Sequence, residues 1–152
     1  MNVICFGDSN TYGYDPHGFF GGRYDGDSRW GDILASETGW TVSNMGENGR
    51  EIPSAAPVLP EDTDLLIIML GTNDTKARFC CNAENIAKGL ERLAGKAMST
   101  TGAFRSGPRL LLIAPAPIEE GYASTSAANE MGPGCVEKSR QLAFWYEDLA
   151  KR

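Results

Sequence analysis

Histidine is almost absent. His17 is the only one in 152 residues, and it lies near the amino end. Any chemistry needing an imidazole base must use that residue or find its base elsewhere. Long hydrophobic runs are missing too. The longest apolar run is residues 65–70, far short of the roughly 18 residues of a membrane helix, so no membrane partner is expected. Clusters of Lys and Arg are also lacking in a chain of net charge −6, which argues against nucleic acid. The four cysteines, Cys5, Cys80, Cys81 and Cys135, form no CxxC and no metal-ligand spacing, and Cys80 and Cys81 do not easily bridge each other. Buried or spare thiols in a reducing cytoplasm are expected. Met1 leads almost at once into an apolar run without a basic or hydrophobic leader, so no signal peptide is expected. With 41% hydrophobic residues the chain can bury one core, and one domain over residues 1–152 is anticipated.

What is present alternates between strand and helix signals. Val3–Phe6 is a short continuous apolar run, as in a strand covered on both faces. A Gly/Tyr/Asp-rich loop over 11–27 precedes a helix over 28–38, with Asp27 or Ser28 as N-cap and Gly39 as its stop. Trp40–Met45 reads as a second strand and 64–70 as a third, separated by a Gly- and Pro-rich loop. Asn82 caps a helix carrying Ile86, Leu90, Leu93, Ala97 and Met98 at helical spacing. Arg109–Ala114 is the fourth strand, stopped by Pro115 and Pro117, and an amphipathic helix runs from about 134 with Val136, Leu142, Ala143, Tyr146 and Leu149. Strands separated by helices imply right-handed βαβ units and an α/β fold on a parallel sheet.

In such sheets, sites form beyond the carboxyl ends of strands. Three polar clusters follow three strands: Gly7-Asp8-Ser9-Asn10, Gly46-Glu47-Asn48-Gly49-Arg50 and Gly71-Thr72-Asn73-Asp74. Ser9, at the start of a helical turn, offers a hydroxyl nucleophile and a backbone N–H in an electropositive setting. An acyl-transfer oxyanion needs two or three fixed donors, which the Ser9 N–H, the Gly49 N–H and the Asn73 amide can supply. Glycine suits the second position because a backbone donor there meets substrate without an intervening Cβ. Taken singly, each cluster is also an ordinary turn composition. Asp8 and Asp74 are expected to brace their loops through backbone N–H groups. Tyr12, Tyr14, Phe19 and Phe20 can wall an acyl or sugar pocket, or pack as a loop lid. Arg23, Arg29 and Arg50 are expected to be solvated or loop-bracing, with Arg50 the best placed of the three for a substrate-side role.

These residues resemble the SGNH/GDSL hydrolases, a family named for its catalytic Ser, Gly, Asn and His. Gly7-Asp8-Ser9-Asn10 resembles the first block, with Ser9 as nucleophile. Asn44-Met45-Gly46-Glu47-Asn48-Gly49 resembles the second, with Gly49 as the oxyanion glycine and Gly46 the alternative register. Gly71-Thr72-Asn73-Asp74 resembles the third, with Asn73 as the last donor. Phe6–Tyr14, Arg29-Trp30, Ile67–Lys76, Pro115-Ala116-Pro117 and Glu137-Lys138-Ser139 are similar to the bacterial arylesterase/acyltransferase branch. The resemblance implies a flavodoxin-like three-layer α/β/α fold with strand order 2-1-3-4 and a fifth strand missing from this chain. It also implies a serine esterase or acyltransferase acting on short acyl or acetyl esters, carbohydrate-linked esters included, with no cofactor, no metal and a homo-oligomeric assembly.

One departure from the family is plain. The fourth block, an Asp-x-x-His, is not found. A strand, a loop bearing Asp and His and a closing helix would need about 35–55 further residues, so a C-terminally incomplete domain is expected. Asp15-Pro16-His17 has the wrong spacing and lies in the loop after the first strand, so His17 is expected to be a loop histidine. Without its base, Ser9 is expected to be unactivated in this chain. A catalytically silent ligand-binding or oligomerisation module that keeps the oxyanion pocket is the second reading. A flavodoxin-like phosphate or nucleotide binder is the third, weakened by the absence of G-x-G-x-x-G and of a P-loop.

Overall fold

Four parallel strands in the order β2-β1-β3-β4 form the sheet of the computed structural model, which describes residues 1–18, 22–53, 55–100 and 102–152. The strands are β1 (Asn2–Gly7), β2 (Thr41–Gly46), β3 (Leu65–Met69) and β4 (Leu110–Leu112). The helices are α1 (Ser9–Tyr12), α2 (Trp30–Thr38), α3 (Ala83–Met98), α4 (Ala128–Met131) and α5 (Cys135–Ala150). The expected α/β class and strand order are both found.

The pleat explains the two cores. Alternate residues of a strand point to opposite faces. Ile4 and Phe6 of β1, with Leu66 and Ile68 of β3, join the cluster that α3 and α5 cover through Ile86, Leu90, Leu93, Leu142 and Tyr146. Val3, Cys5 and Ile67 face the other side, where Trp30 and Leu34 of α2 pack with Val42. Both inner strands are therefore apolar on both faces, which is why they read as continuous runs.

Local signals account for most helix ends. The Asn82 side chain accepts from the Asn85 N–H at 2.8 Å and starts α3. Gly39 ends α2 in the left-handed region at φ 69°, its N–H donating to the Ala35 carbonyl. Two expectations need correction. The cap of α2 is Arg29, with no side-chain cap bond, rather than Asp27 or Ser28. The Asp25 carbonyl takes the N–H groups of Ser28 and Arg29, so a turn occupies these residues before the helix begins. The fourth strand is also shorter than 109–114, although hydrogen bonds from Leu66 N–H to the Arg109 carbonyl and from Ile113 N–H to the Ile68 carbonyl flank it. Among the described residues β4 pairs only with β3, and Leu111 is 47% exposed.

Met98, at the end of the α3 apolar stripe, is 39% exposed, whereas Leu90 is fully buried. Leu90→Ala is expected to lower unfolding free energy by about 2–5 kcal/mol. Met98→Ala is expected to cost less than about 1 kcal/mol. Urea unfolding of the two variants checks the assignment, and equal losses would contradict it.

Candidate active site

Strand register brings the three polar clusters together. Gly7, the last residue of β1, lies opposite Gly46 of β2 and Met69 of β3, so the three following loops leave the sheet side by side. Asp8 caps α1: its Oδ1 accepts from the Asn10 N–H at 2.9 Å. That places Ser9 at the first helical position, where its N–H has no intrahelical acceptor. The turn back over the sheet is tight. A Cβ on Gly7 would stand 2.0 Å from Thr11 Oγ1, and one on Gly46 would stand 2.1 Å from the Tyr12 nitrogen. Asn44 fastens this packing, donating from Nδ2 to the Thr11 carbonyl at 2.6 Å while its Oδ1 accepts from the Gly46 N–H.

The second loop is a turn from Glu47 to Arg50, closed by Arg50 N–H to the Glu47 carbonyl at 3.2 Å. Gly49 sits in it at φ 79°, with no atom within 4 Å of where a Cβ would lie. Gly46 is thus occupied with packing against α1, while Gly49 is open. Among the described residues no acceptor takes the Gly49 N–H.

The third loop begins at Gly71, φ 125°, where a Cβ would meet the Tyr146 hydroxyl at 2.4 Å. That hydroxyl donates to the Leu70 carbonyl at 2.9 Å, seating α5 against the end of β3. Asn73 opens a 3-10 turn over Asn73–Thr75 and is 8% exposed. Its Nδ2 donates to the Arg50 carbonyl at 3.0 Å. A carboxamide nitrogen carries two hydrogens, so the second is available to another acceptor. Asn10 Nδ2 donates to Thr72 Oγ1 at 3.1 Å and ties the first loop to the third.

Of the two acidic residues expected to be braces, Asp74 accepts the Ile52 N–H at 3.0 and 3.2 Å, and Asp8 is the cap described above. Arg50 also braces. Its Nη1 donates to the Gly7 carbonyl at 2.8 Å and to the Met45 carbonyl, Nη2 pairs with Glu47 at 2.8 Å, and the guanidinium lies 4.1 Å from the Phe6 ring centre. Arg23 lies over the Tyr12 ring and donates to the Tyr12 carbonyl at 2.7 Å, and Arg29 pairs with Asp32 at 2.6 Å.

Two lysines had no role from sequence. Lys76 is buried and paired with Glu130 of α4, and Lys138 of α5 donates to the Thr75 carbonyl at 2.9 Å. Lys76 stands within the string Ile67–Lys76 and Lys138 within Glu137-Lys138-Ser139, the one signal pointing to either; their contacts span 54 and 63 residues.

Ser9 opens onto a cleft of about 420 Å³ lined by Asn10, Tyr14, Tyr24, Arg29 and Trp30. Tyr14 therefore walls the cleft as expected, while Tyr12 lies under Arg23. Phe19 and Phe20 lie outside the described residues. His17 is exposed, its backbone N–H donates to Asp15 Oδ1, and it does not line the cleft. All four cysteines are free, Cys5 and Cys135 buried and Cys80 exposed. Burial, with the nearby Asp32 carboxylate, pushes the Cys5 thiol up to about 12, which keeps it un-ionised. Among the described residues no group of three or more His, Cys, Asp or Glu could hold a metal ion.

Burial dominates the electrostatics behind the site. It raises the Asp8 carboxyl against the opposing Asn10 hydrogen bonds. It raises Asp74 to about 6, helped by repulsion from Glu51 and Asp8 and opposed by the Ile52 N–H. Burial, then Asp74 and Asp8, also push the Tyr146 hydroxyl up, so it remains a neutral donor. A carboxyl whose folded value of about 6 stands above the ordinary 3.8 binds more protons in the folded state between those limits. Its contribution is therefore complete below about pH 4 and lost as pH rises through 6, a span worth about 3 kcal/mol at most. Melting temperature is expected to fall between pH 4.5 and 7, and Asp74→Asn, which keeps an acceptor for Ile52, is expected to remove much of that slope. Asp8 supplies the remainder. An unchanged slope in thermal melts would contradict this account.

The chain matches the model of the GDSL-like Lipase/Acylhydrolase family over residues 5–152. A carbohydrate acetylesterase family member from Sinorhizobium meliloti is 32% identical, with a TM-score of 0.82 over 99% of this chain and 78% of that one. The native aryl esterase of M. smegmatis is 29% identical, with a TM-score of 0.80 over 99% and 79%. The structure of Est24, a carbohydrate acetylesterase from S. meliloti, is 29% identical, with a TM-score of 0.76 over 99% and 79%. No curated protein matches. With its sheet order, its three strand-end loops and this match over nearly all its length, the chain belongs to the GDSL-like lipase/acylhydrolase family and is by family a carboxylic ester hydrolase.

Proposed function

We propose that Ser9 is the nucleophile of a serine esterase or acyltransferase acting on short acyl esters. The observation carrying this reading is the convergence at one sheet edge of a helix-start serine beside a cleft, an unoccupied Gly49 N–H and a nearly buried Asn73 amide with one spare hydrogen. Ser9 Oγ attacks the ester carbonyl, and the tetrahedral oxyanion is held by the Ser9 and Gly49 N–H groups and Asn73 Nδ2. Collapse expels the alcohol and leaves an acyl-Ser9 ester, which water or a second alcohol then cleaves. The aromatic walls at Tyr14, Tyr24 and Trp30 suit an aryl or sugar group, in keeping with the aryl esterase and carbohydrate acetylesterases to which the chain is similar. Four free thiols accord with a cytoplasmic setting.

The Ser9 proton needs an acceptor, and the sole histidine is exposed and outside the cleft. That observation favours a second reading, a silent binding module that keeps the pocket. Under the first reading these 152 residues have only the hole and binding to work with, an acceleration of about 10³–10⁴ over the uncatalysed reaction.

A fluorophosphonate probe is expected to label Ser9 slowly, and Ser9→Ala to abolish labelling; mass spectrometry locates the adduct, and unchanged labelling in that variant would sink the proposal. Asn73→Ala is expected to slow labelling by about 10²–10³, the usual worth of one oxyanion donor. His17→Ala is expected to leave the labelling rate within about twofold, since an exposed loop histidine takes no proton from Ser9. A tenfold loss there would instead make His17 the base.

A further inference from the structure

We infer that Arg50 is a positioning residue for the oxyanion hole. Its side chain fixes the turn that carries the Gly49 N–H, and its own carbonyl holds the Asn73 amide. This inference rests on the reading that Ser9, Gly49 and Asn73 supply the donors.

Arg50 joins all three loops. Its guanidinium folds back beneath its own turn and donates from Nη1 to the carbonyls of Gly7 and Met45, at the ends of β1 and β2. The Gly7 carbonyl also accepts the Glu47 N–H at 3.1 Å, so both ends of the 47–50 turn are held by the residue that leads into Asp8 and Ser9. On the other side, the Arg50 carbonyl accepts one Asn73 Nδ2 hydrogen at 3.0 Å, which sets the carboxamide plane and hence the direction of the second hydrogen. The backbone between these anchors includes Gly49, the most permissive residue for φ, so the turn would otherwise be loosely determined.

Arginine is the residue for this task. The planar fork serves two carbonyls from one nitrogen while the other nitrogen pairs with Glu47, and the flat face lies on Phe6. Lysine keeps the charge but lacks the fork and the stacking face. The Arg50 side chain is 14% exposed, so its bonds to the Gly7 and Met45 carbonyls are partly shielded from water. A brace that served only packing would lower the melting temperature without selectively slowing chemistry at Ser9. A positioning group slows the step that needs the donors, because small misplacements are costly: about 1 Å can cost 10²-fold.

The test compares wild type, Arg50→Lys, Glu47→Gln and Asn73→Ala. The inactivation rate constant (kinact) and binding constant (KI) of the fluorophosphonate are measured together with thermal melts. Arg50→Lys is expected to lower kinact about tenfold or more, with KI within about twofold. Glu47 is well exposed, so Glu47→Gln is expected to fold; it keeps an acceptor for Nη2 but removes the charge, and is expected to lower kinact by about two- to fivefold. An independent readout is the Asn73 side-chain amide pair in ¹⁵N-resolved NMR, identified by its loss in Asn73→Ala. The proton bonded to the Arg50 carbonyl is expected to shift upfield in Arg50→Lys. A kinact within twofold of wild type in both Arg50→Lys and Glu47→Gln, or an amide pair unmoved in Arg50→Lys, would overturn the inference. If Asn73→Ala slows labelling and neither Arg50→Lys nor Glu47→Gln does, the Arg50 inference fails alone. If Asn73→Ala itself leaves kinact unchanged, the oxyanion reading fails and this one with it.

Discussion

The carbonyl of Gly7 is the point on which the site depends. It ends the central strand β1 and accepts both the Glu47 N–H and the Arg50 guanidinium. The next residues are the Asp8 cap and Ser9. A strand-end carbonyl has no further ladder partner in a sheet, and here the second loop supplies both donors. The Ser9 loop and the second loop are thereby registered to one atom, through one backbone donor and one side-chain donor. The third loop enters the same arrangement through Asn73 and the Arg50 carbonyl, and through Asn10 and Thr72.

Glycine placement makes the arrangement possible and separates two roles that look alike. Gly7 and Gly46 admit close packing of α1 on the sheet, where a Cβ would collide with Thr11 or with the α1 backbone. Gly49 meets no such crowding and instead adopts a left-handed conformation, its N–H without an acceptor among the described residues. Gly46 and Gly49 therefore differ in their surroundings, one packed against α1 and the other open.

Much of the fold was legible because its signals are local. The runs of β1 and β3 are apolar on both faces, and Asn82 and Gly39 mark helix ends by their own chemistry. The placement of Ser9, Gly49 and Asn73 after consecutive strands was legible for the same reason. The start of α2 was not, because a turn on the Asp25 carbonyl outcompeted the capping side chains at Asp27 and Ser28. Loop-bracing was expected of Arg50, but not its bond to Gly7, and the roles of Lys76 and Tyr146 were not legible. Their partners lie 43, 54 and 76 residues away, and a single sequence carries no mark of such distant bonds. One turn of helix at α4 is likewise too short to leave a periodic pattern.

Tyr146 joins the two halves of the chain. It stands on α5, closes the main core, and places its hydroxyl in the space that Gly71 leaves open at the head of the Asn73 loop. Lys138 of the same helix holds the Thr75 carbonyl in that loop. Loosening of α5 would therefore withdraw two supports from the Asn73 loop at once.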